Sequence, residues 1–245
     1  MVIIMSDKLF VVLPAYNESE NIERVVKDWH SVVSNVGPES RLLVVDDGSK
    51  DNTFELLQTL QDRYPQLIGI TKPNSGHGAT VLYAYKYAIQ NGADYVFQTD
   101  SDGQTLTEEF YPFWEERKQY SAIIGHRNHR EDGFSRVFVT KTLKLVIKLV
   151  FGVTVTDANT PFRLMNRNTL VKYLPQIPKD FNLSNVILSV LLVHNKENVK
   201  FTPITFRPRQ GGVNSINFKK ICKIGIQAVK DFRTIKLTLK DNPVK

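Results

Sequence analysis

The sequence predicts an α/β fold with a mostly parallel central sheet and helices on both of its faces. Three observations carry that expectation. Short strand-like runs alternate with amphipathic stretches through the first half of the chain. Those runs are continuously apolar and rich in β-branched residues, as in strands covered on both sides. Each is followed by a polar segment of turn-forming residues.

The strand candidates, in order, are LFVVLPAY (9 to 16), RLLVVDD (41 to 47), LIGIT (67 to 71), DYVFQTD (94 to 100) and SAIIG (121 to 125). Between the first two, residues 18 to 34 place Ile22, Val25, Val26, Trp29 and Val33 at helical spacing. Residues 79 to 90 repeat the pattern with Val81, Leu82, Tyr85, Ala88 and Ile89, and Asn91-Gly92 supplies a stop. A further helix and a late strand near 199 to 206 follow the Pro-bearing stretch 175 to 178. In such a sheet ligands bind beyond the carboxyl ends of the strands, so the strand ends are the places to search.

Composition bounds the answer. At 245 residues and 42% hydrophobic content the chain can bury the core of one large domain. A single cysteine, Cys222, forms no internal disulfide and no thiolate cluster, which suits a reducing compartment. The start MVIIMSDK lacks the basic leader and apolar length of a signal peptide, and no apolar run reaches the roughly 20 residues of a membrane span. Net charge is +7, and residues 200 to 245 carry eleven Lys and Arg against Asp231 and Asp241. The rest of the chain is therefore slightly acidic. A basic tail suits an anionic membrane surface or nucleic acid. Nucleic acid leaves the acidic strand ends unexplained, and neither a zinc spacing nor an aromatic-interleaved basic motif supports it.

Those strand ends read Pro14-Ala15-Tyr16-Asn17-Glu18, Asp46-Asp47-Gly48-Ser49, Asn74-Ser75-Gly76-His77-Gly78 and Asp100-Ser101-Asp102. The Gly76 to Gly78 loop is neither a P-loop nor a dinucleotide fingerprint, because no Gly-Lys-Ser/Thr follows and position 81 is Val. Its N–H groups, at the start of a helix, are expected to suit an anion or a sugar hydroxyl. Asp100 and Asp102, at i and i+2 of an extended strand end, are expected to project to one side, where two ionised carboxylates call for a cation. Mg²⁺ or Mn²⁺ fits, completed by diphosphate and water, with Gln104 as a third side-chain oxygen.

VVLPAYNESENI, VVDDGSKDNT, NSGHGA and FQTDSDGQT, in this order and at these separations, resemble the nucleotide-sugar-binding half of family 2 glycosyltransferases, over about residues 9 to 165. The resemblance implies the GT-A fold. It also implies that Pro14, Ala15, Tyr16, Glu18 and Asp46 hold the nucleoside with Asp47 nearby, and that Asp100 and Asp102 hold the metal on the diphosphate. Gly78, Ser101, Arg209 and Ser215 are counted with the donor-binding set. DSDGQ, the Gly-His-Arg at 125 to 127 and DANTPFR at 157 to 163 look most like the dolichyl-phosphate mannose synthase branch, which glycosylates polyprenyl phosphates. That branch usually has Asp-x-Thr-Ser-Gly-Phe-Arg where this chain has Asp-Ala-Asn-Thr-Pro-Phe-Arg, keeping Asp157 and Arg163.

Chemistry separates two acceptors. A hydroxyl needs a carboxylate base, for which Asp157 is the candidate, and a glycan or glycolipid acceptor stays open on that ground. A phosphate is already ionised and needs cations, which Arg127, Arg130, Arg136, Arg163, Arg207 and Arg209 offer, with His126 and His129 as weaker candidates. Asp102, Arg127, Asp157 and Arg163 form the catalytic set. From Arg136 to Val150, Val139, Leu143, Val146 and Val150 form an apolar stripe and Lys141, Lys144 and Lys148 a basic one. Such a helix either lies on an anionic leaflet or packs its apolar face onto the domain. The tail repeats the design with Ile221, Ile224, Ala228, Phe232 and Ile235. The expected organisation is a glycosyltransferase domain over 1 to 215 and a basic amphipathic helix and tail over 216 to 245. The expected setting is cytoplasmic, peripheral at the cytoplasmic face of a membrane, with room for a membrane-embedded partner subunit; a catalytically silent nucleotide-sugar binder is the alternative to an enzyme.

Overall fold

The computed structural model describes residues 7–127 and 134–207 together with Asp231, Phe232 and Lys236, and for residues 134–141 the backbone alone. The strands are β1 (Leu9–Ala15), β2 (Arg41–Asp46), β3 (Leu67–Thr71), β4 (Tyr95–Gln98), β5 (Ala122–Arg127), β6 (Arg163–Asn166) and β7 (Val199–Ile204). The helices are α1 (Ile22–Val36), α2 (Thr53–Arg63), α3 (His77–Gln90), α4 (Phe110–Glu115), α5 (Phe134–Phe151), α6 (Arg167–Tyr173) and α7 (Ser184–His194). The seven strands form one sheet in the order β3-β2-β1-β4-β6-β5-β7.

Strand periodicity explains the two-sided core. Along β1, Leu9, Val11, Leu13 and Ala15 join one buried cluster while Phe10 and Val12 join the other, and β2 divides Leu42 and Val44 from Leu43 and Val45 in the same way. A strand apolar at every position is thus covered on both faces. The face of α1 and α4 is packed by Trp29, Phe97, Phe110, Phe113 and Phe162, with Phe97 edge-on to Phe162 at 4.6 Å between centroids. The opposite face takes α3, α5, α6 and α7.

The expected mostly parallel sheet is observed, with one reversal. β1, β2, β3 and β4 run parallel, while β6 is antiparallel to both β4 and β5. The chain leaves β1 toward β2 on one side and pairs it with β4 on the other, so the order reverses at β1, the switch point beside which α/β sheets bind ligands. β6 was not expected from sequence, because its four residues carry too short a signal to show as a strand. Because β6 runs backward, its first residue, Arg163, lies at the same rim as the ends of β4 and β5.

The α5 stripe of Leu143, Val146 and Val150 packs inward with the buried Ile147 and Phe151, as in the second of the two expectations for it. Leu145 and Leu149 are instead the outward residues, 56% and 74% exposed. Phe232 is fully buried, 5.7 Å from Phe151 and 5.9 Å from Phe181 between centroids. Its neighbours on the expected tail stripe lie outside the described residues. Among the described residues no helix is long and apolar enough to cross a membrane. Phe232→Ala should lower the unfolding free energy by about 3 kcal/mol, whereas Leu149→Ala should change it by less than about 0.5 kcal/mol. Urea midpoints of the two variants measure this, and equal midpoints would contradict docking of the tail on α5.

Candidate active site

The loops after β1 and β2 hold each other. Asp47 N donates to Ala15 O at 2.8 Å, Asn17 N to Ser49 Oγ at 2.9 Å and Lys50 N to Asn17 Oδ1 at 2.8 Å. Glu18 N donates to Thr53 Oγ1 at 2.9 Å and Ser19 N to Asp51 Oδ2 at 3.2 Å. Backbone donors of one loop meet side-chain acceptors of the other, which is why turn residues cluster in both motifs. Glu18, 6% exposed, accepts from Asn21 Nδ2 at 2.8 Å. Pro14 and Ala15 are buried as well, and of the nucleoside set only Tyr16, 38% exposed, stands out from the rim.

Asp46 and Asp47 are both buried. Asp46 accepts from Ser49, through its amide and its hydroxyl, and from Thr71 Oγ1 at 2.7 Å, so its carboxylate shapes the loop rather than facing the cleft. Asp47 sits at the amino end of α3. Its two oxygens take Ser75 N and Gly76 N, each at 2.9 Å, and it pairs with Lys72. Of the Gly76 to Gly78 amides expected to suit an external anion, that of Gly76 is met by an internal one. Burial alone would raise the Asp47 carboxyl, but hydrogen bonds from Lys72, Ser75 and Thr80 and the charge of Lys72 hold it below its ordinary value. Gly78, expected in the donor set, has a packing reason instead: any Cβ there would run into the carbonyls of Phe181 and Asn182.

β4 ends at Gln98, and residues 101 to 103 form a turn rather than an extended end. The extended geometry from which a same-side projection of Asp100 and Asp102 was expected is therefore absent. Ser101 is buried and its Oγ donates to Pro14 O at 2.8 Å, locking the turn to β1. Asp102 Oδ1 accepts from Gln104 N at 3.1 Å, and Gly103 closes the turn at φ 70°, where glycine alone is unstrained. Asp100 and Asp102 flank the inward serine and stay partly exposed. Asp100 Oδ1 lies 3.0 Å from Nε2 of His77, a half-exposed side chain that the sequence reading did not single out. Burial lowers the imidazole's affinity for a proton, but Asp100, then Asp47 and Asp102, carry it above the ordinary histidine value.

This donor set fits a hard divalent ion. Two carboxylates from one turn, Asp100 and Asp102, are each partly exposed, although no group of three acidic, His or Cys side chains suited to a metal forms among the described residues. Mg²⁺ and Mn²⁺ in phosphate chemistry take one or two carboxylates and complete their shell with phosphate and water. Gln104, expected as the third side-chain oxygen, also anchors the turn: its Nε2 donates to Arg207 O at 2.7 Å and its main-chain O accepts from Arg207 N at 2.8 Å. It ties the turn to the chain leaving β7.

Across the rim, Arg127 at the end of β5 lies 3.5 Å from the buried Asp157, through its Nε, and stacks over Phe206 at 4.6 Å. The contact is an ion pair and not a hydrogen bond, since Arg127 Nε has no hydrogen-bond partner. Arg163, expected among the acceptor cations, is fully buried and donates to main-chain carbonyls. A guanidinium enclosed in this way cannot reach a ligand at the rim. His129, Arg130, Arg209 and Ser215, and the side chain of Arg136, lie outside the described residues.

The switch-point rim thus carries two partly exposed carboxylates on one side and a tethered arginine on the other, at the place where α/β sheets bind ligands. The chain belongs to glycosyl transferase family 2, whose match covers residues 10–174, and it is a glycosyltransferase with a GT-A-like fold. It is 26% identical over 225 residues to a polyprenol monophosphomannose synthase of Mycolicibacterium smegmatis, covering 88% of this chain and 83% of that one. It is 28% identical over 224 residues to a UDP-N-acetylglucosamine–dolichyl-phosphate N-acetylglucosaminyltransferase of Methanococcus voltae, covering 82% and 86%. Among solved structures, a glucosyl-3-phosphoglycerate synthase from Mycobacterium tuberculosis in complex with Mn²⁺, UDP-glucose and glycerol 3-phosphate superposes with a TM-score of 0.64 at 15% identity, covering 94% of this chain and 80% of that one.

A carboxyl held below its ordinary value stabilises the fold above the unfolded carboxyl's range, and that contribution fades as pH falls through the folded value. Asp47→Asn should cost about 2 kcal/mol at pH 7. The difference from the unmodified chain should shrink on acidification below about pH 4. Denaturant melts across pH 3 to 7 measure it, and a gap that stays constant would contradict the pairing.

Proposed function

We propose that this glycosyltransferase moves a sugar from a nucleoside-diphosphate sugar to a polyprenyl phosphate, in one displacement with inversion, at the surface of a membrane. The observation that carries the acceptor is Asp157: it is 5% exposed and paired with Arg127. The base candidate is thereby committed to holding an arginine. A hydroxyl acceptor would need that carboxylate free to take a proton, whereas a phosphate arrives ionised and needs the arginine. The mycobacterial and methanococcal relatives, whose names specify polyprenol and dolichyl-phosphate chemistry, support the same choice.

Tyr16, exposed at the end of β1, provides the surface for the nucleoside. Asp100 and Asp102 would hold Mg²⁺ or Mn²⁺, which when bound stabilises the charge gathering on the departing nucleoside diphosphate. Arg127, steadied by Asp157 and Phe206, docks the acceptor phosphate. An oxygen of that phosphate forms the new bond to the anomeric carbon as the bond to the diphosphate breaks, its electron pair leaving with the nucleotide. No proton has to be removed.

The segment between Arg127 and Asp157 contains α5, which turns Leu145 and Leu149 outward beside the exposed Lys144 and Lys148. Two leucines one turn apart between lysines suit the interface of an anionic cytoplasmic leaflet, where the lipid acceptor resides. A double Leu145→Glu, Leu149→Glu variant should bind anionic vesicles at least about tenfold more weakly in a sedimentation assay. Its unchanged binding would remove α5 from the membrane contact.

For the reaction itself, UDP-, GDP- and dTDP-sugars are offered with either a polyprenyl phosphate or the corresponding free polyprenol. Transfer is expected to the phosphate alone, and transfer to the alcohol would overturn the acceptor. Asp102→Asn should reduce metal-dependent turnover by about 100-fold or more. Arg127→Ala should weaken use of the acceptor by about 30-fold while leaving donor binding intact.

A further inference from the structure

Arg163 is the largest fully buried side chain among the described residues, and the phosphate-docking role just proposed leaves it without a task. Enclosing a guanidinium costs several kcal/mol unless its donors are well met. All its hydrogen bonds end on neutral oxygens. Nε donates to Thr160 O at 3.0 Å, one terminal nitrogen to Thr160 O at 2.5 Å and Ala158 O at 3.3 Å, and the other to Asn185 O at 3.1 Å and Ser189 Oγ at 3.2 Å. Ser189 Oγ in turn donates to Ala158 O at 3.0 Å and Asn185 O at 2.8 Å.

These contacts have one geometric effect. The carbonyls of 158 and 160 belong to the loop that carries Asp157, and the Asn185 carbonyl and Ser189 hydroxyl belong to the first turns of α7. The planar fork bridges them, which a lysine's single ammonium cannot do in both directions. On its strand, Arg163 pairs with Gln98 of β4 on one side and Ile124 of β5 on the other, two residues before Asp100 and three before Arg127. Burial draws the guanidinium below its ordinary value, and Tyr85, Asp157 and Asp100 act against that. The charge is therefore felt at both halves of the rim.

We infer that Arg163 is a positioning residue: by clamping the 158–160 loop onto α7 it fixes Asp157, and through Asp157 the acceptor-side Arg127, without touching substrate. The link to the acceptor rests on the proposed function; the clamp itself does not.

The test uses Arg163→Lys and Ser189→Ala in the full chain, with Asp157→Asn as the coupled partner. Binding of UDP and GDP with Mn²⁺ is measured by calorimetry, transfer by steady-state kinetics, and opening of the loop by amide hydrogen exchange at 158 to 162. With Arg163→Lys, nucleotide affinity is expected to stay within about twofold while kcat/KM for the acceptor falls about 30- to 100-fold. Added to Asp157→Asn, the same change should cost less than about threefold more, because the two act as one unit. Ser189→Ala, which removes one strut, should give a smaller loss of the same kind. Exchange at 158 to 162 should rise about tenfold or more while the loops after β1 and β2 are unchanged. Equal losses of nucleotide affinity and acceptor use, additivity with Asp157→Asn, or unchanged exchange would each overturn the inference. If the unmodified chain transfers nothing to polyprenyl phosphate, the proposed function fails, and the exchange measurement still decides the clamp.

Discussion

The carboxylate of Asp47 lodged at the amino end of α3 is the contact on which the donor side depends. It joins the end of β2 to the loop after β3 through Lys72, Ser75 and Gly76, and its own amide is bonded to Ala15 at the end of β1. Three strand ends are thereby fixed to one residue. Because α3 begins at this point, His77 is delivered next to Asp100, and the polarity of the cleft follows from a bond made beneath it. The amides of Ser75 and Gly76, just ahead of the helix, thereby serve as a joint of the framework.

The acceptor side is organised by a different rule. There the buried groups are cations or their tethers, and they lie on elements far apart in sequence: Arg127 on β5, Asp157 in the loop before β6, Phe206 after β7. Stacking on an aromatic ring and pairing with an enclosed carboxylate remove most of the freedom an exposed arginine would have. Gln104 and Glu109 hold the chain after β7 against the acidic turn through Arg207 and Thr205, so the two sides share a wall.

Much of this was legible in the chain itself. Continuous apolar runs gave away β1, β2 and β4, since a strand covered on both faces has no polar alternation to confuse it with. The acids at 100 and 102 were visible because a pair of like charges at a strand end is unusual wherever it occurs. What escaped was non-local. Nothing near Lys72 in sequence announces that it pairs with Asp47, and nothing near His77 announces Asp100. Arg163 misled because an arginine beside an aspartate motif reads as a ligand, and its burial depends on α7, which the chain supplies more than twenty residues later. β6 escaped because four residues between stronger signals carry too little periodicity.

The reversed strand has a consequence for scale. β6 is inserted between β4, which leads into the acidic turn at 100 to 102, and β5, which ends at Arg127. Two ladder spacings separate those strands, about 10 Å. A sheet continued in parallel from β4 straight to β5 would halve that gap and crowd two phosphates of like charge together. In the proposed reaction the extra strand lets a diphosphate and a phosphomonoester stand apart with a single sugar ring between them, so the backbone itself would act as the ruler for the group in transit.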